Sequence, residues 1–323
     1  MQNKVLHTLI ATAAAAFLLA PVGAAAAIPC GTAKLIVPWG PGGGTDVIFR
    51  IVADAVNKAG AKPQIQVVNI SGQGGNKGAK EAVKAKPDGC TLFAIHQSAI
   101  TSYFTGRVDF TWDAFEPVAL LTRTPTIFGA SPATPYNNLT ELVAHAKKNP
   151  GKVLAGGTLG STSHFIMLLL EDATGIKLKH ISYDGTAQRM TALLAKNIEI
   201  GEINLAAAKK YIQTNELKGL GITTEVRNPE APKVMTAKEQ GIDLVYGTDR
   251  GIVLPKGASA DVVNHYAKLL EGAMNNPAVK DSLTKKGTSS FFVPAGKYRA
   301  HFEKTYAHWE KIAKMVGVYK RKD

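Results

Sequence analysis

Short apolar runs and amphipathic stretches alternate along the chain after its first 30 residues. The runs at 34–38, 65–70 and 91–95 are apolar enough to predict buried strands of a parallel sheet. After the first run, apolar side chains recur at the spacing of a helix from Val47 to Val56. A strand, a glycine-rich loop and a helix therefore follow one another twice before the third strand. This order indicates a doubly wound α/β sheet that binds its ligand at the carboxyl ends of the strands.

The middle of the chain repeats this pattern as a second unit. The apolar run 153–155 leads into a Gly/Ser/Thr-rich loop at 156–164, and an apolar helix follows at 165–170. The later elements that the pattern predicts are strands at 180–183, 199–203, 217–223, 243–246 and 251–254, a helix at 186–195, and two amphipathic helices near the carboxyl terminus. We therefore expect two small α/β units in one chain.

The amino terminus, residues 1–27, has the pattern of an export signal. Lys4 supplies a positive charge, residues 9–20 are apolar, and residues 25–27 are small enough for cleavage. Pro21 interrupts the apolar run well before the ~20 residues that a membrane-spanning helix needs. The sequence thus predicts a cleaved signal peptide and a periplasmic mature protein.

Composition narrows the class of protein further. The 323 residues are 45% hydrophobic and 20% charged, with 31 glycines and two cysteines, which excludes a disordered, collagen-like or disulfide-framework chain. The formal charge is +13, but its lysines are scattered in pairs rather than gathered into an Arg-rich stripe with interleaved aromatic residues. We expect no nucleic-acid partner and a surface that attracts anions.

The two cysteines are predicted to form one disulfide bond. Cys30 lies just before the first strand and Cys90 just before the third. Neighbouring parallel strands would bring these two strand starts together, and export places the chain in an oxidising compartment. Two buried free thiols are the alternative that the sequence leaves open.

The chain carries no complete motif for a cofactor or a metal. Residues 72–78 approach a dinucleotide fingerprint, but the third glycine falls one place late and no acidic residue ends a strand about 20 residues on. A phosphate-binding P-loop, a His-Glu-x-x-His motif and a Cys-x-x-Cys motif are absent from the sequence, and the histidines lack the spacing of metal ligands. We predict neither a cofactor nor a metal site.

The second loop also suggests a catalytic alternative, which we weigh against helix capping. An exported hydrolase or isomerase would use Ser161, His164 and an acid such as Asp184. Residues three apart at a helix start more often cap the helix, and no oxyanion motif accompanies them. We therefore expect that the protein is not an enzyme.

Two Gly/Ser/Thr loops, at 40–46 and 156–164, each join a strand to a helix in different units. A helix start presents unpaired backbone NH groups and a partial positive charge, glycine permits close approach, and hydroxyls add donors. Each loop is thus typical of an anion-binding site. Two such loops facing one another would form a cleft that holds a small anion at both ends without breaking a bond.

Five segments occur in an order that carries a family resemblance. They are Pro38-Trp39-Gly40-Pro41-Gly42-Gly43-Gly44-Thr45-Asp46, Gly74-Gly75-Asn76-Lys77-Gly78, Lys86-Pro87-Asp88-Gly89-Cys90-Thr91-Leu92, Phe115-Glu116-Pro117-Val118 and Tyr183-Asp184-Gly185. Together they closely resemble the solute-binding receptors of tripartite tricarboxylate transporters, the Bug family. The resemblance implies a bilobal type II periplasmic binding protein: two doubly wound α/β domains with a central ligand cleft.

The resemblance also implies domain bounds and partners. The first domain would comprise residues 28–124 and 236–323, with residues 125–235 inserted as the second. The ligand would be a small organic carboxylate, a di- or tricarboxylate, delivered to a transporter with separate large and small membrane subunits. We expect a monomeric receptor.

Site residues follow from the same resemblance, position by position. The implied ligand-binding residues are Gly43, Gly44, Thr45, Asp46, Ser98, Gly160, Ser161, Thr162, Ser163, His164, Asp184, Asn204 and Arg250. Arg250 stands where members often have Trp-x-Gly, so it either pairs with a ligand carboxylate or forms a salt bridge with an acid such as Asp249.

The sequence leaves two other hypotheses open, one about the partner and one about the ligand. The same receptor could dock on a sensor kinase instead of a transporter, which no residue excludes. An amino-acid ligand would need an acidic group for its ammonium, for which Asp46 and Asp184 are the candidates.

Overall fold

The computed structural model describes residues 28–321, so the predicted signal peptide at 1–27 and the last two residues lie outside the described part. Its strands are β1 (Thr32–Val37), β2 (Gln64–Asn69), β3 (Thr91–His96), β4 (Phe115–Ala130), β5 (Leu154–Gly157), β6 (Lys179–Ser182), β7 (Ile200–Asn204), β8 (Lys218–Ile222), β9 (Gly247–Pro255) and β10 (Ser289–Pro294). Its helices are α1 (Gly44–Lys58), α2 (Asn76–Lys84), α3 (Ser98–Phe104), α4 (Leu139–Lys148), α5 (Thr162–Thr174), α6 (Thr186–Leu194), α7 (Leu205–Gln213), α8 (Ala260–Asn275), α9 (Pro277–Thr284) and α10 (Ala295–Met315).

One long strand, β4, belongs to two sheets. The strand order is β2-β1-β3-β9-β4-β7-β5-β6, and β8 and β10 also pair with β4. Residues 115–125 of β4 pair with β9, whereas residues 126–130 pair with β7. We name the part built on β1, β2, β3, β9 and β10 the first lobe, and the part built on β5, β6, β7 and β8 the second lobe. The predicted domain bounds remain a prediction.

Helices cover both faces of each sheet, as expected of a doubly wound fold. In the first lobe, one buried cluster contains Phe49 of α1 and Tyr266 of α8, and another contains Phe93 of β3 and Trp309 of α10. In the second lobe, α4 and α5 cover one face, while α6 and α7 cover the other. The predicted α/β class is confirmed. The apolar side chains that predicted the early strands and helices are the ones that fill these cores.

The predicted disulfide is confirmed, and it joins the starts of two adjacent strands. Cys30 and Cys90 are bonded with their Cα atoms 5.9 Å apart. Strands β1 and β3 run parallel with Lys34 opposite Thr91, and the Lys34 amide donates to the Cys90 carbonyl. The bond therefore fixes the amino-terminal strand to the centre of the first sheet.

Several elements differ from the sequence predictions. The strand predicted at 243–246 is wrong: this backbone is irregular, and β9 begins at Gly247. The 16-residue strand β4 was not predicted beyond a quoted motif, because Pro117 and Pro125 interrupt its pattern. Within residues 28–321, no helix is both long and apolar enough to cross a membrane.

Candidate functional site

Five helices of the described chain begin around one cleft between the lobes. Their first or capping residues are Gly43 for α1, Ser98 for α3, Ser161 for α5, Gly185 for α6 and Asn204 for α7, and all five line the cleft. The cleft holds about 400 Å³ of space outside the protein atoms, including the part open to solvent. Because the first NH groups of a helix lack intrahelical partners and carry partial positive charge, this arrangement favours an anion.

The first-lobe loop approaches the second lobe very closely at Gly44. A Cβ atom added at Gly44 would lie 2.4 Å from Oδ1 of Asn204, across the cleft. Glycine is therefore needed at this position for the two lobes to meet as they do. The next residue, Thr45, is buried, and its hydroxyl accepts a hydrogen bond of 3.0 Å from Nε of Arg250.

Asp46 orders the first-lobe loop rather than lining the cleft. Its carboxylate accepts hydrogen bonds from the Gly42 amide, Nε of Arg50 and Nδ2 of Asn69, all at 2.9 Å. Burial by itself raises the pKa of this carboxyl, but these donors outweigh burial and leave the pKa below its usual 3.8. The side chain thus holds the loop in shape from behind.

Hydroxyl groups gather at the second-lobe loop. Oγ of Ser163 accepts from the Thr158 amide at 2.9 Å and shares a hydrogen bond of 2.9 Å with Oγ of Ser161. Oγ1 of Thr162 lies 3.3 Å from Oγ of Ser98 on the opposite lobe. These buried hydroxyls place rotatable donors beside the start of α5, as the sequence predicts for an anion-binding loop.

Two buried arginines line the cleft, and their surroundings differ. Arg189 is 2% exposed and forms an ion pair with Glu202, which is itself buried. Arg250 is 3% exposed and forms no ion pair with any residue in 28–321. Burial lowers the pKa of Arg250 to about 10, so the guanidinium is still charged at neutral pH. The cleft therefore contains one positive charge that no carboxylate contacts.

His96 contributes a neutral hydrogen-bond donor. The Ser98 amide donates to Nδ1 of His96 at 3.2 Å, which leaves the ring proton on Nε2. Burial, with the nearby charge of Arg250, lowers the pKa of His96 to about 3. The ring stacks on Trp39, with 5.3 Å between centroids, and both side chains line the cleft.

Buried donors without partners also border the cleft. Within the described residues, Nε1 of Trp39 and Nδ2 of Asn204 have no hydrogen-bond acceptor. Both residues line the cleft, and Asn204 is only 2% exposed. A buried donor left unpaired costs about 1–3 kcal/mol, so these groups favour a ligand that supplies acceptor oxygens.

Hydrogen bonds also join the lobes outside the lining of the cleft. The Gly74 amide donates to Oδ1 of Asp184 at 2.7 Å, and Nη1 of Arg107 donates to the Leu159 carbonyl at 2.6 Å. Gly160 packs against the Arg107 side chain and has a φ of +76°, a conformation that favours glycine. These contacts hold the lobes together in a closed arrangement.

The structure brings most of the predicted site residues together. The predicted residues that line the cleft are Gly43, Gly44, Thr45, Ser98, Ser161, Thr162, Ser163, Asn204 and Arg250. Four others, Asp46, Gly160, His164 and Asp184, lie outside this lining. The other residues that line it are Trp39, His96, Thr158, Gly185, Thr186, Arg189, Glu202 and Thr248. Trp39 and Gly185 belong to the quoted family segments and Thr186 directly follows one, whereas nothing in the sequence pattern marked Arg189.

The three residues of the catalytic reading do not form a relay. Oγ of Ser161 bonds to Ser163, Nδ1 of His164 accepts from the Gly160 amide at 3.4 Å, and Asp184 is bound to Gly74. Burial, with the nearby His180, lowers the pKa of His164 to about 4. Residues 28–321 also contain no group of three or more His, Cys, Asp or Glu side chains placed to hold a metal.

Sequence comparison finds a matching family and a relative of similar length. A sequence model of the family described as "Tripartite tricarboxylate transporter family receptor" matches residues 48–318. The "UPF0065 protein in gbd 5'region" of Cupriavidus necator is 31% identical over 322 residues, covering 96% of each chain.

Two solved structures share the whole fold. The periplasmic binding protein BugD superposes with a TM-score of 0.84 at 26% identity, covering 90% of this chain and 99% of its own. MatC from Rhodopseudomonas palustris, solved with bound malate, gives a TM-score of 0.79 at 25% identity over 87% and 98%. The bilobal periplasmic-binding fold is thus confirmed. The chain belongs to the tripartite tricarboxylate transporter receptor family, whose members are periplasmic solute-binding receptors and not enzymes.

Proposed function

We propose that this protein captures a small organic di- or tricarboxylate in the periplasm and delivers it to a tripartite transporter with large and small membrane subunits. The observation that carries the proposal is the convergence of five helix starts and an unpaired buried Arg250 on one cleft. Such a cleft stabilises negative charge from both sides. MatC, a structural neighbour, holds malate, which is a dicarboxylate.

The proposed contacts divide between the lobes. The first-lobe end of the ligand would meet the amides of Gly44 and Thr45 and the guanidinium of Arg250. The second-lobe end would meet the amides and hydroxyls at Ser161 and Thr162. The four predicted residues that lie outside the lining would act behind these contacts: Asp46 and Gly160 by shaping the loops, Asp184 by joining the lobes, and His164, in the first turn of α5, by accepting the Gly160 amide.

Closure is the step that the ligand would control. A carboxylate that contacts both loops stabilises the closed state more than the open one, and only the closed state would dock productively on the transporter. We propose that the moving bodies are the predicted domains, residues 28–124 with 236–323 and residues 125–235. The receptor would act as a monomer after removal of residues 1–27.

An amino acid fits this cleft less well than a carboxylate. The two acids considered for its ammonium, Asp46 and Asp184, already accept hydrogen bonds and lie outside the lining. Glu202 does line the cleft, but Arg189 pairs with it. The described lining therefore lacks a carboxylate that is free to bind a cation.

A thermal-shift screen against an organic-acid panel would identify the ligand. A ligand at about 100 times its dissociation constant adds about 2.7 kcal/mol of stability. Ser161→Ala combined with Thr162→Ala should then weaken binding at least ~10-fold, because hydrogen bonds to charged groups contribute about 1.5–3 kcal/mol each. Thr191→Ala, which removes an exposed hydroxyl on α6, is the control.

Two results would count against the proposal. The first is an unchanged affinity of the double variant for the acid that binds the wild type. The second is chemical conversion of that acid, detected by mass spectrometry after a long incubation, since a receptor returns its ligand intact.

A further inference from the structure

The charges that line the cleft do not balance. Arg189 and Glu202 form a buried ion pair and cancel one another. His96 is neutral, because its Nδ1 accepts a backbone amide and burial disfavours its charged form. Arg250 remains as the one lining cation, within residues 28–321, that has no acidic partner in contact.

The guanidinium of Arg250 is held rigidly by neutral oxygens. Its Nε donates to Oγ1 of Thr45 at 3.0 Å, and its Nη1 donates to Oγ1 of Thr124 at 2.9 Å and to the Thr248 carbonyl at 3.3 Å. Nη2 makes no hydrogen bond to any residue in 28–321. The two N–H groups of Nη2, on a fixed and charged guanidinium, are thus left for a ligand.

The acid next to Arg250 in the chain is committed elsewhere. Asp249 is buried, and both of its oxygens bind Arg123, at 2.5 and 2.7 Å, while His301 lies 3.1 Å away. Successive side chains of a strand point to opposite faces, so Arg250 lines the cleft whereas Asp249 lines a separate cavity behind β9. The salt bridge with Asp249 that the sequence left open is therefore not formed.

We infer that Arg250 is the specificity-determining residue of the cleft and requires one fully ionised carboxylate in direct contact with its guanidinium. This inference rests on the proposed function. A buried charge without a counter-ion is costly, and a ligand carboxylate would supply the counter-ion with charge-assisted hydrogen bonds. The second-lobe end offers amides, hydroxyls and an already neutralised arginine instead. The two ends of the cleft therefore differ: the group bound at the Arg250 end must be negatively charged, whereas the group bound at the second-lobe end need not be.

Symmetrical diacids with their amides test this asymmetry. The panel is malonate, succinate, tartrate, glutarate and adipate, each as diacid, monoamide and diamide, with affinities measured by calorimetry on the mature chain. A monoamide can turn so that its remaining carboxylate lies against Arg250. The step from diacid to monoamide should then give the smaller loss of affinity. The step from monoamide to diamide should cost at least ~30-fold, because it leaves a desolvated charge unpaired.

In the variant Arg250→Met, the two steps should lower the affinity equally, within about threefold. In Arg250→Lys, part of the difference between the steps should remain, because lysine keeps the positive charge but lacks the planar guanidinium. Equal steps in the wild type, or an undiminished asymmetry in Arg250→Met, would overturn the inference and leave the proposed function standing. Failure of every di- and tricarboxylate of the organic-acid screen to bind the wild type would overturn both.

Stability without ligand separates a binding role from a merely structural one. Arg250→Met removes an unpaired buried charge, so the melting temperature of the ligand-free protein should stay the same or rise. Arg189→Met is the matched control, because it leaves Glu202 buried without its partner and should lower the melting temperature. A fall for Arg250→Met as large as that for Arg189→Met would assign Arg250 a structural role in the folded protein and refute the inference.

Discussion

Replacing Gly44 with alanine would test whether the lobes close over the cleft as the structure has them. The added Cβ would lie 2.4 Å from Oδ1 and 2.6 Å from Cγ of Asn204, whereas ordinary contact begins at 3.4 Å, 1.0 Å further out than the shortest of these. Asn204 is not free to swing aside, because its Oδ1 accepts the Ala206 amide at 3.0 Å and caps α7. The clash joins residues of different lobes, so it exists only in the closed state.

The expected effect is a loss of affinity without a loss of stability. Overpacking costs about 1–3 kcal/mol. If only the closed state bears this cost, the affinity for the ligand falls roughly 5- to 150-fold. Alanine is also a better helix former than glycine by up to ~1 kcal/mol, and Gly44 is the first residue of α1. The melting temperature of the ligand-free protein should therefore stay the same or rise slightly.

Calorimetry with the acid that binds most tightly in the screen would give the affinity, and small-angle X-ray scattering would report closure as a decrease in the radius of gyration. Gly296→Ala is the matched control: Gly296 is the second residue of α10, and a Cβ there would meet no atom within 4 Å. Wild-type affinity in Gly44→Ala, or full compaction on ligand binding, would refute the reasoning. A large drop in its ligand-free melting temperature would also refute it, since the clash would then lie within one lobe.

Three further predictions concern the lobes, the disulfide and pH. Arg107→Ala should speed ligand dissociation several-fold, because it removes the 2.6 Å hydrogen bond to the Leu159 carbonyl between the lobes and leaves the cleft lining unchanged. An unchanged dissociation rate in stopped-flow displacement would contradict this. Removing the Cys30–Cys90 bond, which spans 60 residues, should lower the free energy of unfolding by ~4 kcal/mol in the chain-entropy account, and equal urea midpoints for the bonded and reduced chains would argue against it. In the folded protein His96 stays neutral because its pKa is about 3, whereas in the unfolded chain it binds a proton below its ordinary pKa of 6.5. The free energy of unfolding should therefore decrease as the pH drops, and this residue should account for ~2 kcal/mol of the decrease at pH 5. Urea unfolding at pH 7 and pH 5 measures that loss, and a His96→Gln variant with the same pH dependence would contradict its assignment.

The sequence by itself determined the features that depend on local pattern. Apolar periodicity located β1, α1, β2 and β3, because a buried strand or helix face must be apolar at the spacing of its own backbone. Glycine, serine and threonine after a strand marked the loops from which α1 and α5 begin, because capping is a local property, although both helices begin three residues before the predicted positions 47 and 165. The disulfide followed from two cysteines placed before neighbouring strands.

The pattern of polar and apolar residues failed to predict the strand that passes from one sheet to the other. Strand β4 is buried along almost its whole length and runs from one sheet into the other, so its side chains do not alternate between polar and apolar. Its two prolines read as interruptions, although the register of β4 against β9 shifts near Pro117 to accommodate the first of them. Sequence reasoning therefore predicted strands in both lobes but not the strand that connects the two sheets.

Only the tertiary structure decided the chemistry of the cleft. Arg189 of α6 and Glu202 of β7 are 13 positions apart, and their pairing depends on how the helix packs on the sheet. Asp249 and Arg250 are adjacent in the chain, yet the fold turns one into the cavity behind β9 and the other into the cleft. A binding site assembled from distant elements has no signature in any one of them, because charge balance is a property of the groups that meet after folding.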